Sequence, residues 1–272
     1  MQIKAHCKIN IGLNILRRRE DGYHDIETIM VPVRGLYDTI EVAATGDDTI
    51  VFQQSGIVVD CPAEKNLCVR AARLMQERYG IGGVSIKLDK RVPFGAGLGG
   101  GSADATAIIV AINEIYALGL TKERMAELSA ELGSDTPFFV YDEAMICRGR
   151  GEVMTPIEVP LKGLWLAVVK PMNEGVSTAE AYGGVTPHLP ERGLEELISM
   201  PIDMWQEGIT NDFEPHIFKA HPRIAEIKAM LYDNGAIYAA MSGSGSALFG
   251  IFKERPTIAA ADDTFVHIEQ IL

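Results

Sequence analysis

Between residues 93 and 104 the chain reads Pro93-Phe94-Gly95-Ala96-Gly97-Leu98-Gly99-Gly100-Gly101-Ser102-Ala103-Asp104. Five glycines in seven positions remove the Cβ atoms that keep a ligand away from the main chain, so successive N–H groups can crowd around an oxyanion. A strand pattern (Val84 to Leu88) precedes the loop, and a buried helix pattern (Ala103 to Leu118) follows it. The positive end of that helix adds attraction for phosphate. Ser102 can add a hydroxyl to the phosphate or to its metal ion. Gly95, Gly97 and Gly100 satisfy GxGxxG, but the dinucleotide fingerprint also needs an acidic residue at a second strand end about 20 residues on. That region here, Ile115 to Leu120, reads as the end of a helix. A P-loop needs lysine after its last glycine, and Gly101 stands there instead. A flexible turn is the plain alternative, and the glycine density directly before a buried helix argues against it.

A second candidate group lies in the first strand. Ile3, Ala5, Cys7, Ile9, Ile11, Leu13 and Ile15 alternate with Gln2, Lys4, His6, Lys8, Asn10 and Asn14. Strict alternation gives one buried and one polar face. Lys4, His6, Lys8 and Asn10 therefore share a face, which in most proteins would simply be solvated. Asp135, in Leu132-Gly133-Ser134-Asp135-Thr136-Pro137, suits a helix N-cap. The same carboxylate could serve as a general base on a substrate hydroxyl that a cation such as Lys8 has made more acidic. Ser242-Gly243-Ser244-Gly245-Ser246 joins two apolar strand-like segments, Ile237 to Met241 and Ala247 to Phe252. A hairpin turn is its local reading, and a second anion cradle or a backbone close to substrate is its functional one.

The elements that must carry these residues follow from periodicity. A turn at Arg17 to Gly22 leads through Tyr23 and His24 into a strand from Ile26 to Val33. Further strands are expected at Asp38 to Ala43 and Thr49 to Gln53. Asn66 can cap a helix that ends near Gly80. A shorter helix runs from Lys122 to Leu132, with Gly133 after it. From about residue 155 the pattern becomes a strand (Leu164 to Val169), a loop, helices and a late hairpin. Two lobes with a substrate cleft between them fit this pattern, divided near residue 155: 1–154 with the phosphate loop, and 155–272 contributing to the substrate site.

Composition bounds the function. The chain has 272 residues, 47% apolar and 23% charged, which excludes a disordered chain. A net charge of −12 argues against nucleic-acid binding, which needs an electropositive face. No apolar run approaches the roughly 20 residues of a membrane span, so no membrane partner is expected. The start of the chain does not read as a signal peptide. Cys7, Cys61, Cys68 and Cys147 lack CxxC spacing, which disfavours structural zinc and suits reduced, mostly core thiols in a cytoplasmic protein. Oligomeric state is not legible in the sequence.

Taken in order, the Lys8 strand, the Pro93 to Ser102 loop and the Ser242 to Ser246 loop resemble the GHMP kinase superfamily. Further segments resemble one branch, which phosphorylates the 2-hydroxyl of 4-diphosphocytidyl-2-C-methyl-D-erythritol in the non-mevalonate isoprenoid pathway. They are Ala5-His6-Cys7-Lys8-Ile9-Asn10, Arg19-Glu20-Asp21-Gly22-Tyr23-His24, Lys65-Asn66-Leu67, Leu132 to Phe139, and Asn211-Asp212-Phe213-Glu214. The resemblance implies the fold class α+β, a two-lobed GHMP kinase fold with the active site between the lobes, ATP as phosphoryl donor and Mg²⁺ as counter-ion. It implies Asp135 as base, with Lys8 orienting it and stabilising the alkoxide. Pro93, Gly95, Ala96, Gly97, Leu98, Gly99, Gly100, Gly101 and Ser102 would hold the triphosphate, with Asn66 near adenine. Asn10 and Thr178 would sit near substrate, His24 would read the cytosine edge, and Tyr23 and Tyr182 would stack on the base. Tyr182 stands where the branch more often has Phe. The resemblance assigns no metal ligand. Rival readings are a kinase for homoserine or a mevalonate derivative, against which Tyr23, His24 and Tyr182 speak. A catalytically idle nucleotide-binding module is another, against which Lys8 and Asp135 speak. A dehydrogenase is a third.

Overall fold

The alternating N-terminal segment forms strand β1 (Gln2–Arg18) in a computed structural model that describes residues 1–58 and 61–272. Its odd positions from Ala5 to Ile15 are buried as the alternation requires. Its even positions up to Asn14 are solvated only at the start, at Gln2 and Lys4; Lys8, Asn10 and Asn14 are only 2%, 2% and 4% exposed. Polar side chains buried this deeply must find partners inside the protein.

Strand β2 (His24–Ala44) pairs with β1 and runs unbroken for 21 residues, where periodicity suggests two strands. Gly35 does not interrupt it. Arg34 donates from Nη1 to Asp142 Oδ2 and from Nη2 to the Asp142 carbonyl, both at 2.6 Å. Alternating burial then resumes at Leu36, Asp38, Ile40 and Val42.

The described residues pack into two compact units, Met1–Cys7, Val33–Phe94 and Gly99–Glu143 in one, and Lys8–Pro32, Gly95–Leu98 and Ala144–Leu272 in the other. Both units draw on the first 154 residues, because β1 and β2 contribute to each. The sequence reading divides the chain once, between 154 and 155.

In the first unit, β3 (Ile50–Gly56), α1 (Leu67–Tyr79), β4 (Val84–Lys90), α2 (Gly100–Ile115), α3 (Lys122–Ala130) and α4 (Phe138–Tyr141) follow β2. β4 pairs parallel to β3 and antiparallel to the Thr39–Ala44 end of β2. Ile40, Val42, Ala71, Met75, Ile86, Ile108, Ile112 and Leu128 form its core. Asn66 caps α1 as expected, its side chain accepting the Cys68 N–H at 2.9 Å, and Gly80 ends the helix at φ 62°.

Several boundaries differ from the sequence reading, and those of the helices bear on the site. α2 starts at Gly100, not Ala103, and ends at Ile115, not Leu118. Glycine is a poor helix former, so propensity hides a first turn whose N–H groups carry no side-chain cap. α3 stops at Ala130, because Glu131 and Leu132 close tighter bonds to Leu128 and Ser129. Asp135 is not an N-cap: it lies within a turn, and the N-cap position of α4 is Pro137, which offers no side-chain cap bond.

In the second unit, β5 (Met145–Gly149) and β6 (Val153–Pro156) extend the pairing of β2 through Ile26–Met30. Then come β7 (Trp165–Pro171), α5 (Thr178–Gly183), α6 (Leu194–Leu197), α7 (Glu214–Ala220), α8 (Pro222–Asp233), β8 (Tyr238–Met241), β9 (Leu248–Phe252) and β10 (Thr264–Gln270). The last four strands form an antiparallel sheet in the order β10-β7-β9-β8. Ala167, Val169, Phe213, Ile217, Ile224, Leu231, Met241 and Leu248 fill its core. The late hairpin is the expected one. The strands β5, β6 and β10 have no counterpart in the sequence reading. Cys7, Cys68 and Cys147 are buried, and Cys61 is partly exposed. Among the described residues, no helix is long and apolar enough to cross a membrane.

Candidate active site

The second unit buries a lysine with its partners. Lys8 Nζ donates to Asn10 Oδ1 and, at 2.7 Å, to the carbonyl of Gly97. Asn10 Nδ2 donates to Thr28 Oγ1 at 3.0 Å, and that hydroxyl passes its own hydrogen to the Gly12 carbonyl at 2.6 Å. Each member is thereby satisfied, and the ammonium is aimed rather than loose. This network is what lets Lys8 and Asn10, on the even face of β1, be buried.

The glycine loop is anchored by its carbonyls. Leu98 O accepts from Lys8 N at 2.9 Å, and Ala96 O accepts from Ala247 N at 3.1 Å. Gly97 O accepts from Ser242 Oγ at 3.0 Å as well as from Lys8. Three successive carbonyls are thus committed to donors of the protein. Gly95, Gly97 and Gly99 have φ of 61°, 72° and 70°, while the side chains of Ala96 and Leu98 are buried. Alternating left-handed and ordinary residues curl N–H groups into a concave anion seat. Gly99 precedes α2 with no side-chain cap, and no acidic residue stands in the first turn of that helix. The donors of Gly100, Gly101 and Ser102 therefore lie where a phosphate gains the helix-end field. The residues present fit a triphosphate.

The second glycine loop is the β8–β9 hairpin turn, and it is tied to the first. Ser242 Oγ also accepts the Asn10 N–H at 3.2 Å. Asn211 Nδ2 donates to the carbonyls of both Met241 and Gly243 at 2.8 Å. A Cβ on Gly97 would fall 1.9 Å from the Ser242 carbonyl oxygen. Sequence reasoning assigned no role to Thr28, and named Asn211 and Ser242 only as parts of a motif and a loop. A buried Asn and Ser beside glycines was the signal available for them.

His24, Tyr182 and Phe213 form a chain of rings in the second unit. His24 stacks on Tyr182 at 4.9 Å and 23°, and Tyr182 meets Phe213 edge-on at 4.9 Å. One face of Tyr182 is thus applied to His24. Tyr23 is 55% exposed, with the Arg150 guanidinium 5.0 Å from its ring centre. Partial burial, aided by the nearby charge of Arg18, holds the His24 imidazole below the ordinary histidine range. It is neutral near pH 7, with one N–H donor and one acceptor nitrogen. Thr178 opens α5 and is exposed; Ser177 caps that helix, accepting the Glu180 N–H at 3.1 Å. Asp135 is half-buried in the first unit. Beside it, the Thr136 carbonyl accepts from Thr106 Oγ1 of α2 at 2.9 Å. Among the described residues no three His, Cys, Asp or Glu side chains are grouped to hold a metal ion.

The profile described as GHMP kinases N terminal domain matches residues 66–143, and GHMP kinases C terminal matches residues 194–263. The 4-diphosphocytidyl-2-C-methyl-D-erythritol kinase of Parabacteroides distasonis is 45% identical over 252 residues, covering 93% of this chain and 91% of that one. The enzyme of the same name from Bacteroides fragilis is 42% identical, covering 94% of each. A crystal structure of 4-(cytidine 5'-diphospho)-2C-methyl-D-erythritol kinase superimposes with a TM-score of 0.77 at 33% identity, over 92% of this chain and 90% of that one. Homoserine kinase from Cytophaga hutchinsonii shares the fold, with a TM-score of 0.74 at 18% identity, over 99% and 95% of the two chains. An N–H cradle before a helix, a buried lysine on its carbonyl and kinship along nearly the whole length lead to one assignment: the chain belongs to the GHMP kinases, and within them to the 4-diphosphocytidyl-2-C-methyl-D-erythritol kinases.

Proposed function

We propose that the chain phosphorylates the 2-hydroxyl of 4-diphosphocytidyl-2-C-methyl-D-erythritol at the expense of ATP, a step of the non-mevalonate isoprenoid pathway. The observation that carries this reading is the Gly97 carbonyl, which accepts both the Lys8 ammonium and the Ser242 hydroxyl. A reactive cation and a phosphate cradle are held by one peptide group, which is what transfer of a phosphoryl group to an alcohol requires. ATP supplies the γ-phosphoryl group. The backbone from Gly95 to Ser102, flanked by Pro93, seats the triphosphate, with Asn66 toward adenine. Lys8 stabilises the alkoxide as it forms, and Asp135 accepts the hydroxyl proton. Mg²⁺ would ride on the triphosphate with the Ser102 hydroxyl as its protein neighbour, and would offset phosphate charge. Asn10 holds Lys8 in place, and Thr178 lies toward the substrate.

Cytosine recognition falls to His24, Tyr23 and Tyr182. His24→Ala is expected to raise KM for the cytidylyl substrate about tenfold or more, since an unpaired base-edge group costs about 1–3 kcal/mol. KM for ATP should barely move. An equal change in both constants would remove His24 from base recognition.

The domain division at 1–154 and 155–272 belongs to the same reading, and the two matched family segments lie one in each part. The setting it requires is a reducing, ATP-supplied cytoplasm. The test is ATP consumption with 4-diphosphocytidyl-2-C-methyl-D-erythritol beside homoserine and mevalonate. Turnover with the cytidylyl alcohol alone is expected; preference for either of the others would overturn the reading.

A further inference from the structure

Three charged side chains that take no part in the chemistry above lie buried beneath the start of α2. Lys90 closes β4, Asp38 sits in β2 and Asp104 in the second turn of α2; they are 3%, 0% and 3% exposed. Lys90 Nζ donates to Asp38 Oδ2 and, at 2.6 Å, to Asp104 Oδ2. The other Asp38 oxygen accepts the N–H groups of Arg91 and Val92 at 2.5 and 2.8 Å. Those two residues lead directly into Pro93 and the glycine loop. Where the loop ends, Gly100 rests on the same cluster. A Cβ there would stand 3.1 Å from Lys90 Nζ and 2.9 Å from Val92 Cγ1.

Such a cluster is an expensive way to fill a core. Buried ion groups repay their desolvation poorly, and apolar residues of equal volume often serve stability as well. Asp104 Oδ1 has no hydrogen-bond partner among the described residues. Burial pushes the Asp104 carboxyl up to about 7 against the pull of Lys90. What an ion cluster supplies, and grease does not, is a fixed direction and distance between the segments it joins.

We infer that Lys90, with Asp38 and Asp104, forms a positioning cluster for the triphosphate, holding the entrance and the exit of the phosphate loop at the separation that the nucleotide needs. The inference rests on the kinase reading only in so far as the loop binds ATP. The cluster touches no substrate; it acts through the backbone of Arg91, Val92 and Gly100.

The test is calorimetry with two probes, a non-hydrolysable ATP analogue and CDP, on the full chain and on Asp104→Asn and Asp38→Asn. Each variant keeps the side-chain shape and leaves Lys90 one carboxylate. Kd for the ATP analogue should rise about 10- to 100-fold, the loss expected when a displaced loop N–H forfeits a hydrogen bond to a charged phosphate. Kd for CDP should stay within about twofold, as expected for an independent site. A role in stability alone would lower Tm and leave both constants of the folded variant unchanged. That result, an equal loss for both probes, or failure of both variants to fold, would overturn the inference. If the unsubstituted chain binds CDP but not the ATP analogue, the kinase reading falls and takes this inference with it. Normal binding by that chain with unaltered variants sinks the inference alone.

Discussion

Asp135→Asn is expected to lower turnover by about 10² to 10⁴, the range for loss of a general base. Asparagine keeps the shape of the side chain and can still donate and accept hydrogen bonds, so the turn between α3 and α4 should persist. What it cannot do is take a proton from the substrate hydroxyl. The loss should therefore fall on kcat, with KM for both substrates changed little and Tm held. Single-turnover rates at saturating ATP and cytidylyl alcohol would show it directly. Turnover near that of the parent would remove Asp135 from the proton step and leave the family assignment untouched.

Gly97→Ala should be as damaging, for a steric reason. Gly97 has φ of 72°, where an L side chain costs about 1–2 kcal/mol. The larger obstacle is contact: the new Cβ would lie 1.9 Å from the Ser242 carbonyl oxygen, 2.9 Å from its carbon and 3.1 Å from Gly245 N. All three are backbone atoms, so no flexible side chain can swing aside. The loop must move away from the hairpin, and its carbonyl then leaves both Lys8 and Ser242. A loss of about 100-fold or more in kcat/KM is expected from displacement of that size. Gly95→Ala is the matched comparison, since it has similar φ (61°) and nothing within 4 Å of the added carbon. It should cost much less. Activity of Gly97→Ala within tenfold of Gly95→Ala would refute the idea that the two loops are interlocked.

Much of the scaffold was legible because it is written locally. The alternation of β1, the Asn66 cap, the Gly80 stop and the β8–β9 hairpin each follow from residues within a few positions of one another. Placing Lys8 and Asn10 on one face needed only the two-residue period. The burial of that face was not legible, since what covers it is remote in sequence: Gly97 lies 89 residues from Lys8, and Ser242 lies 232 from Asn10. Arg34-Gly35 reads as a break because Gly is a poor strand residue, and the tie from Arg34 to Asp142 spans 108 residues. Asp135 before Thr-Pro reads as a cap because that chemistry is common, whereas here the following helix starts two residues later than a cap would place it. The Asp38–Lys90–Asp104 cluster had a signal that went unused. An aspartate inside an apolar helix and a lysine ending a buried strand each call for a partner.

The ring chain His24–Tyr182–Phe213 has a consequence for how a base would be received. Tyr182 is already immobilised on two sides, edge-on to Phe213 and face-on to His24. Little rotamer freedom is left to surrender when a ligand arrives, so the entropic toll of ordering an aromatic wall falls on folding rather than on recognition. With His24 reading the base edge as proposed, selectivity at that end of the substrate would depend on enthalpy, and analogues with a mismatched edge should be rejected without any loop having to reorganise.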